Sequence, residues 1–421
     1  MTADLLITNI GDLLTCAGPV PRIGAAMRDA GAIADAAIAA RGGRIVFAGP
    51  MRDCDRAVRP SSEATVIDAA GRAVVPGFVD AHTHVVYAGD RRAEVRRRLG
   101  GATYAEIAAA GGGILTTVAA TREAGEETLA EGARIRLHEM LRCGTTTAEV
   151  KSGYGLTTGS ELTQLAAIRR LGGSQPVELA PTFLGAHEVP AEFRGRADAY
   201  VSLVIEEMMP AVAREGLAEW CDVFCEEGVF SPDQSIQILE AGRRTGMKPR
   251  IHANELGRSG GVQAAVAVGA RSADHLVHVV GEDAAALAAA GVTATLLPAA
   301  SFYLKLGRFA PARMLIDAGV VVALGTDANP GGGLTPSMPF VMSLACFAMG
   351  LTFEEALNAA TINAAWSLDR QDRIGSLEVG KQCDLVIVDG PASELLRIDS
   401  GAVAAVIKGG RVVNRTDLIQ T

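Results

Sequence analysis

Val75-Pro76-Gly77-Phe78-Val79-Asp80-Ala81-His82-Thr83-His84 is the stretch from which the rest of the chain can be read. A short apolar run, introduced by Pro-Gly, ends in two histidines separated by one residue. In extended backbone, residues i and i+2 point to the same side. Two imidazoles just past a strand end can therefore converge on one cation. Neutral imidazole suits zinc or iron, and nearby carboxylates would hold each ring by its other nitrogen. The pattern gains weight only if further ligands arrive from elsewhere.

Downstream of this stretch, strand-like and helix-like segments alternate, which argues for parallel βα units. Eight candidate strands stand out: Phe78–His82, Thr145–Val150, Val177–Phe183, Cys221–Phe224, Pro249–His252, Ser272–His275, Thr293–Leu297 and Val320–Leu324. Several are near-continuous apolar runs, as expected of strands covered on both faces. Amphipathic stretches such as Glu126 to Leu141 and Ser160 to Leu171 lie between them. The expectation is an α/β fold, a (β/α)8 TIM-like barrel over residues 74–374. The first connection is too long for a simple βα unit. Its Ala108 to Gly113, three alanines followed by three glycines, reads as a loop over the barrel mouth.

Upstream, residues 1–73 carry short β-rich runs, among them Leu5 to Asn9, Arg44 to Ala48 and Thr65 to Asp68. Similar runs return at Cys383 to Val388, Val403 to Ile407 and Arg411 to Val413. Gly42-Gly43-Arg44 and Gly409-Gly410-Arg411 both look like hairpin turns. Neither end is long enough for a comfortable core of its own. Residues 1–73 and 375–421 are therefore expected to join in one small β-sandwich domain.

Of seven histidines, His82, His84, His187, His252 and His275 fall at or just after the C-terminal ends of candidate strands. That end is the catalytic face of a barrel of this kind. His138 sits inside a helical stretch and reads as a surface residue; His278 reads as structural. Asp327 follows the eighth strand, opposite His82, His84 and His252, and completes a ligand set with room for one bound water. A metal lowers the pKa of such a water to about 7. Glu255, three residues beyond His252, is placed to move a proton from that water to a leaving nitrogen. His275 would hydrogen-bond the hydroxide or the developing oxyanion. Hydrolysis at a mononuclear metal centre follows from these residues alone.

The 421 residues, 49% hydrophobic and 21% charged, suit a globular enzyme. Net charge is −9 with no long basic run, which argues against a nucleic-acid partner. Ala284 to Ala300 is the most apolar long window, but Gly291, two threonines and Pro298 interrupt it, so it reads as helix, turn and strand rather than a membrane span. Met1-Thr2-Ala3-Asp4 is unlike a signal peptide, and seven scattered cysteines suggest reduced thiols in the cytoplasm. Cys221 and Cys225 lack a second pair for a thiolate site and read as core.

At this point the chain resembles the amidohydrolase superfamily and, within it, the imidazolonepropionase family of histidine degradation. The markers are the His-Thr-His stretch, His84-Val-Val-Tyr-Ala-Gly-Asp-Arg91, Ala109-Ala-Gly-Gly-Gly-Ile114, Glu149-Val-Lys-Ser-Gly-Tyr-Gly155, Phe183-Leu-Gly-Ala-His-Glu188 and Asp327-Ala-Asn-Pro-Gly331. The resemblance implies hydrolysis of 4-imidazolone-5-propanoate to N-formimidoyl-L-glutamate by a homodimer holding one zinc or iron per chain. It implies the metal ligands His82, His84, His252 and Asp327. It also implies that Arg91 and Tyr154 receive the substrate's carboxylate, and that His187, Asn329 and the Gly331 backbone contact substrate. One departure stands out: Gly332-Gly333 follows Asn-Pro-Gly where the family has Ser or Thr. The expectation is that backbone N–H groups at Gly331 and Gly332 replace the missing hydroxyl.

Two rivals share parts of this pattern. A purine or pyrimidine deaminase would have the same metal ligands, but a neutral base gives Arg91 and Tyr154 nothing to bind. A two-metal cyclic amidase would need a bridging lysine after strand four, where Cys225-Glu226-Glu227 stands instead. A non-catalytic scaffold of the same fold would be expected to have lost ligands, and the set is complete.

Overall fold

The computed structural model describes residues 1–102, 106, 112–398 and 401–416. Strands β1 (Thr2–Leu14), β2 (Ala32–Arg41), β3 (Arg44–Pro50), β4 (Arg59–Asp68) and β5 (Val74–Pro76) precede the alternating region. The barrel strands are β6 (Phe78–Asp80), β7 (Thr145–Lys151), β8 (Glu178–Ala186), β9 (Trp220–Cys225), β10 (Lys248–Ala253), β11 (Ser272–His275), β12 (Thr293–Leu296) and β13 (Val322–Leu324). Strands β14 (Leu385–Val388), β15 (Val403–Lys408) and β16 (Arg411–Arg415) end the chain. Two sheets result. One is the eight-stranded parallel barrel in simple sequence order; the other joins β16-β15-β14-β5-β1-β2-β3, with β4 beside β1, from both chain ends.

Most of the expected strands agree with these within two residues at each end. Both glycine pairs are hairpin turns, β2–β3 and β15–β16, and they pack on one another: a Cβ on Gly43 would lie 2.9 Å from the Gly409 carbonyl oxygen. The apolar window from Ala284 resolves into helix Gly281–Ala290, strand β12 and helix Pro298–Tyr303. Among the described residues, no helix is long and apolar enough to cross a membrane. Cys221 and Cys225 are buried on β9, and His138 is exposed on helix Glu126–Arg142. The expected mouth loop at Ala108 to Gly113 lies largely outside the described residues; Gly113 leads into helix Ile114–Glu123.

The passage from small sheet to barrel is a tight corner. Gly77 donates its N–H to the Asp384 carbonyl on the small-sheet side (2.9 Å), and a Cβ there would lie 2.4 Å from Thr146 Oγ1. Only glycine fits. β6 then starts the barrel, and its partner across the seam is β13. Past both strand ends the chains zip together: Asp327 donates to the His82 carbonyl (2.9 Å) and His84 to the Ala328 carbonyl (3.0 Å). Asp80 anchors this seam, accepting from the Thr326 N–H (2.9 Å) and hydroxyl (2.6 Å). Burial pushes the Asp80 carboxyl up to about 7, against the pull of these donors. Closure of the barrel therefore sets first-strand and last-strand residues face to face.

Thr326→Val removes the hydroxyl donor and leaves Asp80 Oδ2 buried without it. An unmet buried acceptor costs roughly 1–3 kcal/mol. Urea unfolding of the variant should show a loss of that size at an unchanged m-value. Wild-type stability would mean that the seam does not depend on this pair.

Candidate metal centre

Zipping the seam brings two ring nitrogens and one carboxylate together, and β10 adds the ring of His252. His84 Nε2 lies 3.2 Å from His82 Nε2 and 3.4 Å from His252 Nε2. Asp327 Oδ1 is 3.6 Å from His82 Nε2 and 3.5 Å from His84 Nε2. The three histidines alone form a group able to hold a metal ion, with candidate ligand atoms all within 4.8 Å of one another. All four residues are buried. Burial holds the His82 and His84 rings well below the ordinary imidazole range, so they are neutral. The Asp327 carboxyl is pushed up to about 7, chiefly by burial.

The far nitrogens show which way the lone pairs face. His82 Nδ1 is 2.7 Å from Asp274 Oδ2, and His252 Nδ1 is 3.1 Å from Asp222 Oδ2. A carboxylate only accepts, so each Nδ1 carries the proton and each Nε2 presents a lone pair. These two lone pairs and the Asp327 carboxylate converge beside His84 Nε2, an acceptor-rich setting that suits a cation. The donor set therefore fits a transition metal. The two acids are held in turn by cations: Lys151 Nζ lies 2.8 Å from Asp222 Oδ2 and 2.7 Å from Glu149 Oε1, and Arg250 Nη2 lies 3.5 Å from Asp274 Oδ2. Burial alone would raise the Asp222 carboxyl, but His252 and Lys151 hold it well below the ordinary range. Burial likewise opposes the Lys151 charge, yet Asp222 and Glu149 keep its pKa above that of a free lysine.

This polar floor was not among the residues picked out from the sequence. The signal was present in β7, Thr145-Thr-Thr-Ala-Glu-Val-Lys151, every residue of which is buried. Glu149 and Lys151, two apart, share one face while Ala148 and Val150 join the hydrophobic cluster on the other. Two ionisable residues on the covered face of a barrel strand require partners. Asp222 and Asp274, one on β9 and one on β11, are those partners' targets or relays.

Beside the ligands stand Glu255 and His275, with His275 Nδ1 3.5 Å from Glu255 Oε1. Burial, reinforced by Asp327 and Glu226, raises the Glu255 carboxyl well above the usual range. The loop that carries it is pinned by Glu226, which accepts from the Leu256 N–H (2.9 Å) and from the Ser259 hydroxyl. Glu226 is thus engaged on both oxygens and not free to bridge two metals. Asn254, at φ 54°, ties this loop to the next through the Gly261 N–H (3.1 Å) and the His278 carbonyl (3.0 Å). His275 and Leu276 also lie in the left-handed region, at φ 74° and 55°. Such backbone is costly for non-glycine residues and concentrates at functional sites.

Tyr154 and His187 reach the same chamber. His187 stacks on His84 at 4.9 Å between ring centres, and Tyr154 lies 5.3 Å from His187 and 5.9 Å from His84. Arg91 is buried, unlike Arg92, Arg96 and Arg97 of the same basic run. Its fork is already half engaged: Nε (2.9 Å) and Nη2 (2.8 Å) donate to Glu94 Oε2, while a Cβ on Gly331 would lie 2.2 Å from Nη1. The expected backbone donors are a correction. Asn329 Oδ1 accepts from the N–H groups of Gly331 (2.8 Å) and Gly332 (2.6 Å), and its amide donates to the Asp327 carbonyl (2.7 Å). These groups close their own turn, in which Gly333 is obligatory, because a Cβ there would lie 1.6 Å from the Asp327 oxygen. They do not stand open in place of the missing hydroxyl.

Residues 73–413 match the amidohydrolase family. The chain is 51% identical over 413 residues to the imidazolonepropionase of Symbiobacterium thermophilum, covering 97% of each. It is 49% identical over 414 residues to that of Geobacillus kaustophilus, again covering 97% of each. Among solved structures it is similar to an adenosine deaminase from Xanthomonas campestris with bound zinc (TM-score 0.68, 22% identity, 98% of this chain and 93% of that one). It is also similar to the atrazine chlorohydrolase of Arthrobacter aurescens complexed with zinc (TM-score 0.73, 20% identity, 98% and 95%). These two likenesses carry the fold alone.

If Asp274 holds the His82 ring and its tautomer, Asp274→Asn should weaken metal binding by roughly 10–100-fold, the usual effect of losing such an orienting group. Competition against a chromogenic chelator measures this directly. Unchanged affinity would show that His82 needs no outer partner.

Proposed function

The chain belongs to the amidohydrolase family and catalyses the hydrolytic step that the imidazolonepropionases perform in histidine degradation; from that premise we propose how its residues divide the reaction. The reading rests on one observation: His82, His84, His252 and Asp327 turn their donor atoms to one point, with Glu255 and His275 beside it. The substrate is 4-imidazolone-5-propanoate. Water adds to the ring carbonyl carbon, the bond from that carbon to the ring nitrogen breaks, and N-formimidoyl-L-glutamate results.

We assign one zinc or iron ion per chain to the four ligands, since imidazole and carboxylate accept either. When bound, the metal supplies Lewis acidity, making a water ligand acidic near neutral pH and polarising the carbonyl. Glu255 takes the proton from the attacking water and returns it to the departing nitrogen. A carboxyl whose proton affinity is raised by burial suits both halves of that task. His275 donates to the oxygen on which negative charge develops, and needs no ionisation to do so. Tyr154 and the free side of the Arg91 fork receive the propanoate, with His187 against the ring. A deaminase would leave that clamp without an anion. The seven free cysteines support a reducing, cytoplasmic setting, and the family suggests a homodimer.

Glu255→Gln should keep the metal while kcat falls by roughly 10²–10⁴. Loss of metal would place Glu255 among the ligands instead, and near-normal turnover would make it a bystander. Arg91→Met tests the clamp. A charge-assisted hydrogen bond contributes on the order of 1.5–3 kcal/mol, so kcat/KM for the natural substrate should drop at least about tenfold. An imidazolone lacking the propanoate arm should barely notice the change. Equal proportional losses on both compounds would remove Arg91 from carboxylate recognition.

A further inference from the structure

After β7 the chain runs Ser152-Gly153-Tyr154-Gly155-Leu156 before Thr157 caps helix Thr158–Leu171, its hydroxyl accepting from the Ser160 N–H. Gly153 (φ +107°) and Leu156 (φ +54°) bend this segment back on itself. Such an arc gathers successive N–H groups into a concavity that binds anions. Here the anion is the protein's own. Glu161 Oε2 accepts from the Gly153 N–H (3.1 Å), and Oε1 accepts from those of Gly155 and Leu156 (2.8 Å each). The Ser152 hydroxyl bonds the same carboxylate. The remaining N–H of the arc, on Tyr154, is taken by Gln164 Oε1 (3.1 Å), three residues further along the same helix face. Gln164 then donates to the Val86 carbonyl (2.7 Å), in the segment that follows the His82 and His84 ligands.

Both side chains are fully buried, and their hydrogen bonds go to this arc and to Val86. What they hold is Tyr154 and, one bond further, His187. The Gly153 carbonyl faces His187 Nδ1 at 3.0 Å, and a carbonyl only accepts. His187 therefore carries its proton on Nδ1 and keeps Nε2 as an acceptor. We propose that Glu161, assisted by Gln164, is the positioning residue that aims Tyr154 and fixes the His187 tautomer for the substrate. A neutral amide at 161 keeps only one of the two acceptors: with its oxygen toward Gly155 and Leu156, its NH2 meets the Gly153 N–H. The proposal rests on the reading that Tyr154 and His187 contact the substrate.

The test is Glu161→Gln in the wild-type and Tyr154→Phe backgrounds. In the wild type, kcat/KM for imidazolone propanoate should fall about tenfold or more, with metal content unchanged and amide exchange across residues 153–156 faster. Because Glu161 acts through Tyr154 as well as through His187, the same substitution on Tyr154→Phe should cost a clearly smaller factor than in the wild type. Gln164→Met goes through the same cycle should E161Q fail to fold. Equal factors in both backgrounds, unaltered exchange, or loss of metal would each overturn the proposal. Y154F alone without a loss would fault the reading of Tyr154 and the proposal with it, while the exchange data would still report whether the clamp exists.

Discussion

The lone pairs of His82 and His252 and the Asp327 carboxylate converge beside the His84 ring in a buried site. This acceptor-rich arrangement suits a cation, and the surrounding structure is built to hold it. The rings cannot turn away, because Asp274 and Asp222 grip the other nitrogens of His82 and His252. The acids cannot turn away, because Lys151, itself held by Glu149, and Arg250 tie them beneath the ligands. The ligand residues cannot separate, because the β6–β13 seam pairs His82 with Asp327 and His84 with Ala328 along the backbone.

That construction is not an economical way to make a stable barrel. A buried ion pair recovers its desolvation only with good geometry and full hydrogen bonding, and apolar replacements are often as stable. Glu149, Lys151, Asp222, Asp274 and Arg250 are all essentially without solvent exposure. Their contribution lies in directing protons and lone pairs. A cluster holding two neutral ligands in one tautomer lets the metal bind without first reorganising the site.

The barrel was legible because its strands announce themselves locally, as apolar runs ended by histidine, glycine or acid. The ligands were legible because His and Asp at strand ends are few. Other parts were not. β2, Ala32-Ile-Ala-Asp-Ala-Ala-Ile-Ala-Ala-Arg41, has an alanine content that favours helix; it is a strand because β1 and β3 flank it and Ala36, Ile38 and Ala40 fill the small core. The ionic floor was hidden for a different reason. Lys151 and Asp222 are 71 residues apart, and no local pattern shows that their side chains meet. Arg91 was legible through its resemblance, but its pairing with Glu94 on the next helical turn emerges only from the geometry.

That pairing bears on how one scaffold serves different substrates. A buried guanidinium facing an empty chamber would be strongly penalised; Glu94 removes most of the penalty, and the Gly113 N–H holds the other oxygen of Glu94 (2.8 Å). On the proposed reading a substrate carboxylate would meet a cation already fixed in place, so little rotamer entropy would be lost on binding. The same logic governs Tyr154 on its pinned arc and the Asn329 turn. All three belong to loops beyond the strands, whereas the metal ligands belong to the strand ends and the seam. If these loops read the substrate, as proposed, recognition can change by loop substitution while the metal site and its ionic floor stay as they are. Structures of the same fold that share only about a fifth of this sequence are what such a division permits.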